Sequence, residues 1–439
     1  MDQKNMHTTD FVRSTPILGW VILYASLAIG IFGNLLGILT PRIQTYFALD
    51  YPQMSFLMSL ITIGALFGAI LGGDIAKRFN QRNLLILYTS LMLLLVFILA
   101  QTQSYLVFTL AYIGMGVLDA ALFTIAHSLL SRMSQNEEHR TRMLSLADVG
   151  FSFGSLLAPV WVSLILSWKA EWQQPYILFI GLIFLLLIAL SPQSFYPSYS
   201  SYSSHSNQPE AANNSESSTS LQPPPSHSNQ LNVYLQMFRH PLLVLVLLAY
   251  LFLGFIEWGQ SFWLTSYVTK GLNLSETSAN TSIFFLMLGM LLGRVWHAFL
   301  ASRWTAQQKL QGLTWLCLLG VLLQNLLGLT GWVEVAMYLF WLCSFLLGLG
   351  MSVAFPILLG QMIEIFPEQA SRLSALAVIC ISLGSSVAAL LVGYLAEWLG
   401  MRLAFTVFIG ATLAYVIFVS ALLKQRLRYQ AYQPYQPKD

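Results

Sequence analysis

The sequence predicts an all-α membrane protein of twelve transmembrane helices arranged as two pseudo-symmetric six-helix bundles. Three observations carry this. Of 439 residues, 56% are hydrophobic and only 9% charged, with a mean hydropathy of +0.66; a water-soluble domain carries about a quarter charged residues. Twelve apolar runs, each bounded by charges or turn formers, are long enough to cross a bilayer, which takes about 20 residues for about 30 Å of hydrocarbon. The two halves of the chain also repeat one another across a polar, low-complexity segment.

In order, the runs fall at 17–40, 53–74, 83–101, 104–130, 142–168 and 174–191, then 241–268, 277–300, 309–330, 334–358, 371–396 and 402–423. The first follows MDQKNMHTTDFVRSTP, too polar for a cleavable leader, so it is read as a retained helix; it carries a polar Asn34 inside GIFGNLLGIL. The second runs into the basic loop around Arg78. The fourth exceeds the length a perpendicular crossing needs, which allows tilt. The fifth begins at Arg142. The seventh contains GFIEWGQSFW and the eighth GMLLGRVWH. Pro356 predicts a kink in the tenth, and the eleventh starts after Pro367. The domains are therefore 1–191, an N-terminal bundle; 192–240, a linker; 241–423, a C-terminal bundle; and 424–439, a tail. The linker is rich in Ser, Pro and Asn and lacks the apolar residues to order itself.

Sixteen Lys and Arg fall on the side holding both termini and four on the other, with Arg294 inside a span. By the positive-inside rule both termini are cytoplasmic. Asn273-Leu-Ser275 and Asn280-Thr-Ser282 match a glycosylation sequon near an outer loop, but the short polar outer loops favour a multi-pass protein of a bacterial cell inner membrane. The net charge of +3 comes from scattered single residues, which gives no nucleic-acid partner. Cys317, Cys343 and Cys380 lie inside apolar segments without metal or redox spacing and read as small core residues. No phosphate-binding Gly-x4-Gly-Lys-Ser/Thr loop, metal-ligand cluster or nucleophile-base pair is visible, so neither an enzyme nor a cofactor is expected.

The repeat is specific. Arg142-Met-Leu-Ser-Leu-Ala followed by Ser152-Phe-Gly154-Ser155 recurs as Arg372-Leu-Ser-Ala-Leu-Ala followed by Ser382-Leu-Gly384-Ser385. Ile75-Ala-Lys-Arg78-Phe79 is echoed by Leu300-Ala-Ser-Arg303-Trp304, and Gly114-Met-Gly116 by Gly348-Leu-Gly350. Small residues kept in both halves suit close helix packing. The acids are not repeated: Val353 and Val378 stand at the positions paired with Asp119 and Asp148.

An ionisable group at the bilayer centre costs about 2.5 to 3.5 kcal/mol on insertion scales and is a functional candidate by default. Asp119 is either a coupling or substrate-contacting acid or a carboxylate satisfied by a neighbouring helix. Phe123 and His127 follow it at helical spacing on one stripe; an interfacial role suits His127. Asp148, ahead of Ser152 and Ser155, is read equally as a proton site or a gate hydrogen bond. Glu257 and Arg294 form a charge pair on adjacent antiparallel spans, or Glu257 joins Trp258, Gln260 and Trp263 in a cavity suited to a polyhydroxylated solute. Asn34 suits solute contact or helix packing. A carboxylate whose charged form is disfavoured can carry a proton across the membrane as the neutral acid.

Two six-span halves, a long linker and Arg-bearing loops after spans two and eight resemble the major facilitator superfamily over nearly the whole chain. The family's loop motif, roughly Gly-x3-Asp-Arg-x-Gly-Arg-Arg, is present in altered form as Gly73-Asp-Ile-Ala-Lys77-Arg78-Phe-Asn80-Gln-Arg82, with Lys77 in place of the acid and Asp74 one turn earlier. GMGVLDAAL, LADVGFSFGSLLAP and IEWGQSFWLTSYVTKGLNLS resemble the fucose-permease branch and TsgA-type permeases. The resemblance implies the major facilitator fold, rocking of the halves about a site lined by spans one, four, seven and ten, and gating loops at Asp74, Lys77, Arg78, Arg82, Arg142, Arg303 and Arg372. Of the branch's two coupling acids, one falls on Asp119 and the other near Gly37, beside Asn34. The expected function is therefore secondary active transport of a small polar solute, a sugar or related metabolite, coupled to protons through Asp119. The competing readings are proton-linked efflux of an amphipathic compound and a transport-silent receptor on the same scaffold. The expected partners are a small-molecule substrate, protons and the lipid bilayer, with the protein a monomer.

Overall fold

The computed structural model describes residues 3–133, 137–168, 171–190, 239–297, 304–333, 336–366 and 370–432; side chains are described from residue 19 onward, apart from short stretches at helix ends. The predicted linker, 192–240, lies outside the described residues except for its last two. The N-terminal half comprises α1 (Gln3–Tyr46), α2 (Tyr51–Arg78), α3 (Gln81–Gln101), α4 (Tyr105–Met133), α5 (Glu137–Leu166) and α6 (Gln174–Leu190). The C-terminal half comprises α7 (Pro241–Ser266), α8 (Glu276–Val295), α9 (Ala306–Thr330), α10 (Met337–Met351), α11 (Ala354–Ile365), α12 (Ala370–Leu399), α13 (Met401–Ala404) and α14 (Val407–Tyr432). Among the described residues eleven helical segments have the length and apolar character of a membrane crossing, and α6 is a shorter apolar helix of 17 residues. These match the twelve expected runs, with the tenth crossing split into α10 and α11 and the twelfth into α13 and α14.

Local sequence sets the helix ends. Asp50 caps α2 by accepting from the Gln53 backbone N–H, while the Gln53 side chain accepts from the Asp50 N–H, with Pro52 in the first turn; together these satisfy amides that have no partner within the helix. Thr305 and Gln308 do the same for α9. At the other end of α9, Gly331 takes a left-handed conformation (φ 74°), and Arg402 donates to the carbonyls of Gly328 and Leu329 at 2.7 and 3.0 Å. The tenth crossing breaks at Ser352 and Val353, four and three residues before Pro356. Proline has no N–H to give to the carbonyl four residues back, and that carbonyl is Ser352's.

The two halves use the same close packing. A side chain on Gly30 or Gly154 would overlap the carbonyl of Phe151 or Leu27, binding α1 to α5. Gly254 and Gly384 stand in the same relation to Ile381 and Leu251, binding α7 to α12. Likewise Gly116 against Ile61 joins α2 to α4 as Gly348 against Leu286 joins α8 to α10. This corrects the repeat in one register: Gly116, not Gly114, packs as Gly348 does. The residue paired with Asp119 is therefore Met351 rather than Val353, and the acid still has no counterpart. Apolar side chains such as Phe67, Phe97, Leu110, Leu185 and Ile417 are exposed around the bundle, where lipid would cover them.

Several hydrogen bonds join the halves at one end. Arg42 makes a bidentate pair with Glu276 at 2.7–3.1 Å, Lys270 donates to Gln44 at 3.0 Å, and Asn280 donates to Ser163 at 2.8 Å. The Tyr51 N–H points to Glu397 at 3.4 Å, and a side chain on Gly393 would overlap Ser55. This end is closed.

Candidate functional site

Between the halves lies a partly open cavity with about 330 Å³ of empty space, solvent-continuous volume included. It is lined by Asn34 from α1; Phe151, Ser152 and Ser155 from α5; Glu257, Trp258 and Ser261 from α7; and Met287, Met290 and Arg294 from α8. Asn34 is eight residues along α1 from the closed end at Arg42, roughly 12 Å at 1.5 Å per residue, which places the cavity at mid-depth. Close backbone approach makes the wall possible: a side chain on Gly37 would overlap the carbonyl of Ser261 in the other half.

Most hydroxyl and amide groups of the wall are held by their own helices. Asn34 donates its amide to the Gly30 carbonyl at 3.0 Å, leaving its carbonyl oxygen for a ligand. Ser155 donates to Phe151 O at 3.0 Å, Ser261 to Glu257 O at 3.0 Å, and Ser152 to Asp148 O at 2.7 Å. The charged pole is Glu257 with Arg294, whose nearest atoms are 3.7 Å apart. Arg294 also donates to Ser152 across the halves and, from Nε, to the Ser352 carbonyl at 3.3 Å, with its guanidinium 5.9 Å from the Phe151 ring centre. Trp258, Phe151, Met287 and Met290 supply the apolar wall.

The structure thus brings together Asn34, Glu257, Trp258 and Arg294 from the residues singled out in the sequence. Glu257 lines the cavity beside Trp258 and stands 3.7 Å from Arg294, without Gln260 and Trp263 in the wall. Three residues expected in the wall are elsewhere. Trp263 is fully buried and donates its indole N–H to Ala389 O at 3.3 Å, so it is a packing residue between α7 and α12. Gln260 is also fully buried, its amide without a hydrogen-bond partner and outside the cavity lining. Phe123 stands behind the wall, its ring edge-on to Phe151 at 6.1 Å.

Asp119 lies one turn from Phe123 and does not line the cavity; one carboxylate oxygen is buried without a hydrogen-bond partner. Asp148 does not line the cavity, and its backbone carbonyl accepts from Ser152, which does. The lining comes from spans one, five, seven and eight rather than one, four, seven and ten. The side chains of His127, Asp74, Lys77, Arg78, Arg82, Arg142, Arg303 and Arg372 lie outside the described residues. The sequence reading missed Phe151, Ser261, Met287 and Met290; Met287, Met290 and Arg294 share one helical stripe, Met290 three and Arg294 seven residues on from Met287, and that spacing was the available signal.

The sequence model described as Major Facilitator Superfamily matches residues 21–340 and 313–438. A protein named TsgA homolog from Erwinia tasmaniensis is 24% identical over 289 residues, covering 65% of this chain and 64% of that protein. The match therefore spans just under two thirds of the relative's length. A zebrafish (Danio rerio) protein named solute carrier family 2, facilitated glucose transporter member 10, is 33% identical over 133 residues, 29% of this chain and 25% of that one. A solved structure, a bacterial homologue of the human lysosomal transporter Spinster in an inward-facing and unoccupied conformation, superposes with a TM-score of 0.69 at 13% identity. It covers 96% of this chain and 100% of that one, and shows a shared fold.

Proposed function

The chain belongs to the Major Facilitator Superfamily, and from that premise we propose that it is a secondary active transporter moving a small polar solute, a sugar or related metabolite, by alternating access. The observation that carries this is the mid-depth cavity, built from both halves, with a charge pair at one pole and one end of the bundle closed. The hydroxyls of Ser152, Ser155 and Ser261, the amide of Asn34 and the ring of Trp258 suit a polyhydroxylated solute, which stacks an apolar face and hydrogen-bonds its rim. In this reading the protein sits as a monomer in a bacterial inner membrane with both termini cytoplasmic.

Proton coupling is assigned to Asp119. An unpartnered carboxylate oxygen buried in a span is costly unless it serves a task, and Phe123 and Phe151 connect its helix to the cavity wall. One proton moving through 100 mV supplies about 2.3 kcal/mol, enough for roughly a 40-fold solute gradient.

The test is uptake into proteoliposomes. Radiolabelled D-glucose and L-fucose are offered with an imposed proton gradient, and Asp119→Asn is compared with the parent. The expected result is uphill accumulation by the parent, lost in Asp119→Asn while solute counterflow continues. Unaltered uphill uptake in Asp119→Asn would remove the coupling role. The aromatic and methionine wall favours a second reading, proton-linked efflux of an amphipathic compound. In that case the same gradient drives solute out, and a lipophilic cation such as tetraphenylphosphonium replaces the sugars as the transported probe.

A further inference from the structure

The guanidinium of Arg294 has three claimants. Its Nε donates to the Ser352 carbonyl at 3.3 Å, the carbonyl that Pro356 leaves without a helical donor. One terminal nitrogen donates to Ser152 in the N-terminal half. The other stands 3.7 Å from Glu257 Oε1, too far for a hydrogen bond. The Glu257 side chain is 17% exposed toward the cavity, and among the described residues no donor lies within hydrogen-bond distance of its carboxylate. A carboxylate accepts up to about four hydrogen bonds, so this one is left open to a ligand.

The position of the Ser152 bond matters as much as its partners. Helices α5 and α8 are joined at two levels: Asn280 to Ser163 at the closed end, and Arg294 to Ser152 eleven residues further along α5, roughly 16 Å away. Ser155, Met287 and Met290, all cavity residues, lie between the two levels. The Arg294 bond therefore joins the halves on the side of the cavity opposite the Arg42–Glu276 pair.

Resting on the transport reading above and deepening it, we propose that Arg294 is the gate residue of that second side, anchored on Ser352 and divided between Ser152 and Glu257. Its bond to Ser152 holds the halves together; the charge of Glu257 draws it back into its own half. A solute that donates a hydroxyl or ammonium hydrogen to Glu257 weakens the second pull and leaves the guanidinium to Ser152. Filling the cavity thereby shuts it behind the solute. The solute class is a hydrogen-bond donor adjacent to an acceptor, since the same group meets both Glu257 and Arg294.

The test uses Ser155→Cys as a thiol in the cavity wall, in a chain carrying Cys380→Ser, purified in detergent without solute. The labelling rate by a hydrophilic methanethiosulfonate reads access from the side away from the closed end. Native Cys317, fully buried inside the C-terminal half, reads general loosening. Arg294→Gln and Ser152→Ala are expected to raise the rate at residue 155 about tenfold, and Glu257→Gln to lower it about threefold, with Cys317 unchanged throughout. Tenfold corresponds to about 1.4 kcal/mol. If Arg294→Gln does not fold, Arg294→Lys serves, because a single ammonium cannot span Ser352 and Ser152 as the guanidinium fork does. Acceleration by Glu257→Gln as well, or no change with any variant, overturns the gate. The assay needs no transport, so a chain that labels as expected yet moves no solute would overturn the transport reading and leave the gate standing.

Discussion

Arg294 and Pro356 meet at a single carbonyl. The proline withholds the N–H that would bond Ser352 O, and the arginine Nε, from the neighbouring helix, supplies a donor at 3.3 Å. A helix break inside a membrane is tolerated only where its freed polar groups find partners, so the break between α10 and α11 and the cavity's charged pole depend on one another.

Pro356→Ala returns a donor to Ser352 O and removes the reason for the break. The expected outcome is a straighter tenth crossing and a chain more resistant to heat, by about 1 kcal/mol for the restored hydrogen bond. Transport should slow, because the element that flexes becomes a continuous helix. Thermal unfolding and initial uptake rates of the purified variant check the two effects, and a less stable, equally fast variant would count against the assignment.

The mirrored glycines predict where a single methyl matters. At Gly154 and Gly384 an added Cβ overlaps a backbone carbonyl of the facing helix, whereas at Gly312 and Gly410 nothing lies within 4 Å. Gly154→Ala and Gly384→Ala should each destabilise by about 1 to 3 kcal/mol, the usual range for overpacking. Gly312→Ala and Gly410→Ala should be neutral or stabilising by up to about 1 kcal/mol, since alanine is the better helix former. Unfolding temperatures of the four variants, measured side by side, separate the two classes.

How far the sequence could be read follows from the same physics. Apolar runs and the repeated small residues are one-dimensional signals, and they located every crossing, the two halves and the break near Pro356. Facing is a different matter. In a helix apolar on all sides the period of 3.6 carries little information about which stripe turns inward, so Trp263 and Trp258, five residues apart, were equally credible as cavity residues. One is buried against Ala389 and the other lines the wall. Met287 and Met290 were hidden for the same reason: methionine reads as core or lipid-facing until a neighbour such as Arg294 shows where its stripe points.

Those methionines set the size of the cavity, which gives a prediction on solute discrimination. Met290→Trp places a larger, stiffer side chain against the wall that Met290 lines. It should raise KM for any transported sugar by about tenfold, roughly 1.4 kcal/mol of lost binding, with the unfolding temperature little changed. Met290→Ala enlarges the site and should admit bulkier solutes with weaker affinity. Competition between mono- and disaccharides for uptake distinguishes the two variants.

The closed end offers the sharpest contrast between electrostatics and packing. Arg42 and Glu276 pair in two-pronged geometry, but their side chains are 35% and 45% exposed, and an exposed pair contributes at most about 1 kcal/mol and is screened by salt. Gly393 sits where a side chain would overlap Ser55 and the Tyr51 carbonyl across the two halves. Access to this end is read by alkylation of a cysteine placed at Thr62, buried and bonded to Ser386 of the other half. Arg42→Gln should speed alkylation no more than about fivefold, the equivalent of 1 kcal/mol, and less still in molar salt. Gly393→Leu should speed it far more and independently of salt, because the halves cannot close over the added volume. Equal effects from the two substitutions would mean that charge rather than backbone proximity holds this end shut.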